Sequence, residues 1–198
     1  VDAAHYQAQN EYFYEQYAKG TLDIFAYSEF VFKVLSETPM ATLLQWREQF
    51  MQEMMLPLIQ PQAMALVRKH MDIGHHCVLV SATNEFVIEP IARHFGFEYI
   101  IGTTPEQING QFTGKVAGTP SFQAGKITRL EQWLTTQNLS WDTVKASFFY
   151  SDSINDLPLL EHATFPVVCN PDARLREIAR TRCWPIFELF SNELNHTN

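Results

Sequence analysis

Short apolar runs alternate with amphipathic stretches along the chain from Cys77 onward. A short apolar run is typical of a buried strand, and apolar residues at helical spacing are typical of a helix packed on one face. Strands that alternate with helices predict a parallel sheet with right-handed crossovers, and so an α/β fold. The predicted strands cover residues 77–80, 99–101, 146–150, 165–169 and 184–187, and the predicted helices cover residues 85–94, 124–136, 155–162 and 172–180.

The segment from residue 2 to about residue 68 has a different pattern, in which aromatic and aliphatic side chains recur at helical spacing. Gly20-Thr21 and Thr38-Pro39 interrupt it, and the second pair resembles a helix cap followed by proline in the first turn. Further on, the Gly-rich segment 109–116 predicts a small hairpin. The sequence therefore predicts a helical subdomain over residues 1–70 and an α/β unit over residues 71–198.

The charge and the cysteines limit the classes of partner and the cellular location. The formal net charge is -8 at pH 7, whereas nucleic acids and anionic membranes bind to a basic face. No run of about 18 apolar residues predicts a transmembrane helix, and no signal peptide is visible. Cys77 and Cys169 lie in apolar runs and form no C-x-x-C pair, which fits buried thiols in a reducing cytoplasm. We expect a cytoplasmic protein that binds a small soluble molecule.

Ligands bind such a sheet at the carboxyl ends of its strands and at the helix N-termini that follow. Three features of the sequence fall at these places. The first is the apolar run that ends in Ser81-Ala82, where a hydroxyl and nearby backbone N–H groups can hold a phosphate oxygen. Taken alone, a serine after a strand is more often a helix cap.

The second and third features are a lysine and a pair of carboxylates. Lys126 lies in the first turn of the predicted helix 124–136, where the helix dipole disfavours a cation, so a bound anion would explain it; a solvated lysine is the alternative. Asp152 follows an apolar strand, and Asp156 comes four residues later. Two carboxylates so placed can converge on a hard cation, although Asp156 also suits a helix N-terminus for dipole reasons alone.

These features together resemble the motifs of the haloacid dehalogenase (HAD) superfamily, in particular its phosphoserine-phosphatase-like branch, subfamily IB. Their order along the chain matches that branch, and the segment 165–172 looks like its next strand. The resemblance covers nearly the whole chain. It implies a HAD-like Rossmannoid parallel sheet with an inserted helical cap, and Mg²⁺-dependent hydrolysis of a phosphomonoester through an aspartyl-phosphate.

The resemblance also implies a role for each matching residue. Ser81, with Ala82 beside it, would bind the transferring phosphoryl group, and Lys126 would neutralise its charge. Asp152 would be a magnesium ligand. The metal site would also include Asp156, as the carboxylate that orients metal-bound water or the lysine. The family asparagine that shapes the phosphate site is matched by Asn155.

Two positions depart from the family pattern. The motif that usually begins Gly-Asp is Ser151-Asp152 here, and serine is small enough to be tolerated. The first motif, Asp-x-Asp-x-Thr with the nucleophile and the general acid, is missing, since Asp2 is followed by Ala4 and Tyr6. We therefore expect the nucleophile upstream of Val1, a sheet without its first strand, and no phosphatase activity from these 198 residues alone.

The cap sequence bears on the substrate. Phosphoserine phosphatases hold the substrate carboxylate with a cap arginine, and aligning their Gly-x-Leu with residues 20–22 places that position at Val31. This argues against phosphoserine. Because acidic residues outnumber basic ones in the cap, a cationic substrate such as histidinol phosphate is expected first. Two other hypotheses stay open: a non-catalytic phosphate-binding or partner-binding domain that lacks a nucleophile, and a phosphotransferase such as a mutase.

Overall fold

The structure, a computed structural model, describes residues 3–190 and begins with helices, as the sequence predicts. They are α1 (Ala3–Lys19), α2 (Ile24–Glu37), α3 (Met40–Phe50) and α4 (Pro61–Asp72). Between α3 and α4 the chain continues as a π-helical turn, Met51–Met55, and a 3₁₀ turn, Leu56–Leu58. The side chain of Asp23 caps α2 by accepting from two backbone N–H groups. The cap predicted at Thr38 is wrong, because Thr38 is the extended residue after α2 and Pro39 directly precedes α3.

The second part of the described chain alternates strands and helices close to the predicted positions. Its strands are β1 (Val78–Asn84), β2 (Tyr99–Thr103), β3 (Pro105–Ile108), β4 (Gln111–Val116), β5 (Phe148–Ser151), β6 (Phe165–Cys169) and β7 (Ile186–Phe187). Its helices are α5 (Glu85–Phe95), α6 (Ala124–Thr136), α7 (Leu157–His162) and α8 (Ala173–Thr181), and a 3₁₀ turn over Ile154–Asp156 leads into α7. The mixed α/β class predicted from the sequence is confirmed.

The strands pair in two parallel groups and one hairpin. Strand β1 pairs with β2, and β5, β6 and β7 pair in that order, all in parallel. Strands β3 and β4 form the predicted antiparallel hairpin. Within residues 3–190, β1 has a hydrogen-bonded strand partner on one edge alone, and so has β5. Strands β1 and β5 are therefore edge strands of their groups; β1 contains Ser81, and Asp152 directly follows β5.

Two apolar clusters hold the fold together. One joins the cap to the hairpin, because Phe32, Leu35 and Leu43 from α2 and α3 pack against Phe112 of β4. The other lies behind β6 and contains Leu160, Val168, Leu175 and Ala179. Burying a large aliphatic or aromatic side chain contributes about 2 kcal/mol, so the first cluster fixes the hairpin to the helical part. The division at residue 70 stays a prediction, since the hairpin belongs by sequence to the predicted α/β unit.

No helix among residues 3–190 is long and apolar enough to cross a membrane. The thiols of Cys77 and Cys169 are free and half-buried, and that of Cys183 is free and exposed.

Candidate active site

A buried ion pair between Lys126 and Asp156 lies at the centre of the candidate site. The Lys126 ammonium donates to Oδ1 of Asp156. The Ser151 hydroxyl donates to Oδ2 of the same carboxylate at 2.7 Å. All three residues are buried. Both oxygens of Asp156 thus have a donor, and the lysine charge is held where α6 begins, opposite the end of β5.

A tight turn after β5 positions these groups. The Oγ of Ser151 accepts from the backbone N–H of Ser153 at 3.1 Å, and the Oγ of Ser153 accepts from that of Asn155 at 3.2 Å. Serine hydroxyls that bond to backbone two residues on stabilise turns of this kind. The serine that replaces the usual glycine at position 151 therefore has a structural use, since it supports both the turn and Asp156.

Asp152 directly follows Ser151 and is exposed. Desolvation by the surrounding protein raises the pKa of its carboxyl; its own backbone N–H and Lys126 act against this, while Asp156 and Asp172 raise it further. Several carboxylates thus repel one another here. A bound cation would relieve that repulsion.

The start of α6 is unusually constrained. A Cβ added at Gly125 would lie 2.2 Å from the carbonyl oxygen of Pro120, so the backbone comes too close for any other residue. Gln123, directly before the helix, has φ 47° and ψ -124° and gives the helix no side-chain cap. Residues other than glycine rarely adopt such positive φ, and strain of this kind tends to occur at functional sites.

Ser81 and Ala82 lie within β1. The Oγ of Ser81 accepts from the backbone N–H of Thr83 at 3.1 Å, and the carbonyl of Ala82 accepts from the Thr103 hydroxyl at 2.8 Å. Asn84, not Ser81, is the N-cap of the following helix α5. In the described part of the chain no hydrogen bond joins Ser81 to Lys126 or Asp156. The structure therefore brings together Lys126, Ser151 and Asp156, and leaves the phosphate-binding role of Ser81 and Ala82 a prediction.

The end of α1 contacts the same turn, which sequence reasoning missed. The Tyr17 hydroxyl is 2.8 Å from the Ser153 hydroxyl. The Asn155 side-chain amide donates to the Tyr17 carbonyl at 3.3 Å. The Gln123 side-chain amide donates to Oδ1 of Asn155 at 3.3 Å and to the backbone carbonyl of Gly20 at 3.5 Å. Gly20, directly after α1, was the one sequence feature that marked this end of the helix. Nothing in the sequence pairs residues so far apart.

The described residues supply one magnesium ligand and not a complete set. Among residues 3–190, no three His, Cys, Asp or Glu side chains are grouped so that they could hold a metal ion. Mg²⁺ prefers carboxylate and carbonyl oxygens and water. Asp152 offers an exposed carboxylate, whereas both oxygens of Asp156 are engaged by Lys126 and Ser151. A further carboxylate is needed. Asp2, the one early candidate, lies outside the described residues.

The cap residues considered for substrate binding have other contacts. Val31 is half-buried and packs against the cluster around Phe32. Several cap acids pair along their own helices, such as Glu15 with Lys19 and Glu37 with Lys33, all of them exposed. The acidic excess is therefore at least partly a solvated surface, and it supports a cationic substrate less than the sequence suggested.

Two cavities in the described chain lie apart from these residues. One of about 510 Å³ lies between α4 and α5 and is lined by residues such as Arg68 and His94. The other, of about 340 Å³, lies beside α5 and the hairpin. Neither cavity is lined by Lys126, Asp152 or Asp156. The candidate site is therefore identified by its charged and hydrogen-bonded side chains and not by a cavity.

Comparison with known proteins identifies the family of the chain. The sequence model of the haloacid dehalogenase-like hydrolases matches residues 3–161. A protein of Neisseria meningitidis named histidinol-phosphatase is 43% identical over 187 residues, or 94% of this chain and 84% of that protein. A Mycobacterium tuberculosis protein named phosphoserine phosphatase SerB1 is 34% identical over 146 residues, or 74% of this chain.

A solved structure extends the similarity to the whole fold. The crystal structure of a protein of unknown function from Bordetella pertussis Tohama I is 42% identical, with a TM-score of 0.90 over 96% of this chain and 85% of that one. The matched lengths differ among relatives. This chain spans 84% of the Neisseria protein but 46% of the mycobacterial one.

Proposed function

The chain belongs to the haloacid dehalogenase-like hydrolase family, and we propose that it forms most of a Mg²⁺-dependent phosphatase for a small soluble phosphomonoester. The observation that carries the proposal is the buried ion pair of Lys126 with Asp156, which Ser151 supports from the end of β5. A buried lysine held by one carboxylate at a helix start is suited to neutralise the charge of a phosphoryl group.

Each residue of the site has a distinct task in this proposal. Lys126 stabilises charge on the phosphoryl oxygens, and Asp156 with Ser151 fixes the direction of the ammonium group. Ser81 and the backbone near Ala82 bind another phosphoryl oxygen, and Asn155 shapes the same region. Mg²⁺, when bound, supplies charge neutralisation and alignment of the attacking group. Asp152 is the side chain that would hold it, with Asp156 in support.

We propose that the nucleophilic aspartate is carried by a segment that precedes Val1. It attacks phosphorus, the phosphorus–oxygen bond to the leaving group breaks, and a second carboxylate protonates the departing oxygen. Water then hydrolyses the aspartyl-phosphate. The unpaired edges of β1 and β5 support this proposal, since a strand between them would be paired on both sides. Its carboxyl end would lie beside Ser81 and Asp152.

Histidinol phosphate is the substrate we propose to test first. The name of the Neisseria relative, at 43% identity, supports it. So does Val31, whose aliphatic side chain cannot bind the carboxylate of phosphoserine. Phosphoserine is the second candidate, because the mycobacterial relative is named for it. The net charge of -8 favours a soluble metabolite over nucleic acid or an anionic membrane, and the free cysteines fit a reducing cytoplasm.

The test compares two proteins, one expressed from the complete coding sequence and one limited to residues 1–198. With Mg²⁺, the complete protein should hydrolyse histidinol phosphate and p-nitrophenyl phosphate, and EDTA should stop the reaction. The 198-residue protein, its size checked by intact mass, should be inactive. An inactive complete protein that still binds phosphate would favour the non-catalytic hypothesis. Transfer of phosphate between sugars without net hydrolysis would favour a mutase.

A further inference from the structure

The C-terminal end of α1 carries backbone carbonyls that are satisfied by side chains from the α/β part of the chain. The last carbonyls of a helix have no partner inside the helix. Gly20, with φ 75°, lets its own N–H return to the Tyr17 carbonyl at 3.0 Å. The Tyr17 carbonyl also accepts from Asn155, and the Ala18 carbonyl accepts from the Arg174 guanidinium at 3.3 Å.

Gln123 links this helix end to the tight turn after β5. Its amide nitrogen donates to the carbonyl of Gly20 on the cap side and to Oδ1 of Asn155 on the site side. Asn155 is buried and lies directly before Asp156. A displacement of the end of α1 would therefore remove hydrogen bonds from Asn155 and from Gln123 at the same time. Gln123 lies three residues before Lys126.

The backbone of Gln123 suggests why this residue is present. At φ 47° and ψ -124°, glycine would be the easier residue. A glutamine kept in a strained conformation is explained if its side chain has a task that glycine cannot perform. The two hydrogen bonds that it makes, one to each part of the chain, are that task.

We propose that Gln123 and Tyr17 are positioning residues that hold the end of α1 against the turn after β5, an arrangement that we call closed, so that cap position and Asn155 orientation are coupled. Tyr17 contributes its hydroxyl contact to Ser153, and Gln123 contributes the bridge from Gly20 to Asn155. In kinetic terms the pair sets the fraction of enzyme that is closed before substrate binds. The kinetic test of this inference rests on the proposed phosphatase function. The hydrogen-exchange test does not.

The kinetic test uses Gln123→Gly in the protein expressed from the complete coding sequence. Glycine removes the bridge and relieves the strained backbone, so the melting temperature should stay level or rise. KM for histidinol phosphate should rise about fivefold, because binding is weakened by the fraction of open enzyme, while kcat changes less than about twofold. Tyr17→Phe should act in the same direction. A fall in kcat with unchanged KM, or no change in either, would overturn the proposal.

Two control variants separate the loss of the Gln123 bridge from other effects of these substitutions. One relieves a strained backbone elsewhere, and the other removes a tyrosine hydroxyl elsewhere. Asn138→Gly relieves another positive φ, 55°, at the far end of α6. Tyr14→Phe removes a hydroxyl from the exposed face of α1, where the residue is 73% exposed. Neither should change KM.

Amide hydrogen exchange tests closure without any turnover. Exchange over residues 17–21 should become faster in Gln123→Gly and stay unchanged in Asn138→Gly. An enzyme with no activity but with this exchange difference would refute the proposed function alone. An active enzyme in which both variants exchange like the wild type would refute the coupling alone.

Discussion

The ammonium group of Lys126 and the carboxylate of Asp156 form an ion pair inside the protein, where the two residues are 5% and 7% exposed. Each charge would be costly to bury alone, since an isolated ion loses several kcal/mol of hydration. Each charge is therefore stabilised by the other, and the proposed phosphatase function needs the two together.

Lys126→Met should destabilise the protein by about 3 kcal/mol, because Asp156 is left buried without its cation. Adding Asp156→Asn should restore most of this loss, since the asparagine is neutral and still accepts from Ser151. Hydrolysis of p-nitrophenyl phosphate by the complete protein should fall by about two orders of magnitude in both variants. Urea unfolding and steady-state turnover give the two quantities. Near-normal turnover in Lys126→Met would make Lys126 a structural lysine only.

In the protein expressed from the complete coding sequence, Asp152→Asn should abolish Mg²⁺-dependent turnover while leaving the fold intact. Without Mg²⁺ the melting temperature should be equal or slightly higher, since the substitution removes a charge that Asp156 and Asp172 repel. MgCl₂ should raise the melting temperature of the wild type and leave that of Asp152→Asn unchanged. Asp142→Asn, an exposed substitution before β5, serves as the control. Wild-type turnover in Asp152→Asn would remove Asp152 from the site.

Val31→Arg should raise kcat/KM for phosphoserine relative to histidinol phosphate by about tenfold, because a charged hydrogen bond to the substrate carboxylate contributes about 1.5 kcal/mol. The guanidinium can extend beyond the apolar cluster that Val31 contacts. Ala26→Arg, on an exposed part of the same helix, is the control. If the wild type already prefers phosphoserine across a panel of metabolites, the alignment of the cap is wrong.

The stability of the protein should fall as the pH drops below about 6.5. Burial lowers the pKa of His70, and the nearby charges of His75 and Lys69 lower it further. The folded state therefore binds fewer protons than the unfolded state in this range, so stability is present above the ordinary pKa and is lost below it. The loss in melting temperature between about pH 7.5 and 5.5 should be smaller in His70→Gln than in the wild type or in His76→Gln.

Local sequence signals predicted most of the elements. The predicted helix 124–136 and strand 165–169 coincide with α6 and β6, because in both segments apolar spacing and helix or strand boundaries agree. The helix predicted from residue 155 begins instead with a 3₁₀ turn, since serine hydroxyls tighten the turn before it. Thr38 was assigned to the wrong helix end because a polar residue before proline suits either side of a break.

Contacts between distant parts of the chain could not be predicted in the same way. Ser151 was considered as a tolerated replacement for glycine, and its hydrogen bond to Asp156 depends on a turn that no spacing rule describes. The packing of Phe112 on the cap and the bridge through Gln123 join residues far apart in sequence. Such contacts follow from how the elements pack, and no periodicity encodes them.

The close approach of the Pro120 carbonyl to Gly125 limits which residues position 125 can accept. Any side chain at that position would push the Pro120 carbonyl away and tilt the first turn of α6, which carries Lys126. Gly125→Ala should therefore lower turnover although it adds one methyl group and touches no reacting atom. In a library of random variants selected for activity, position 125 should accept glycine alone. Its restriction would look like that of a catalytic residue, while its origin is steric.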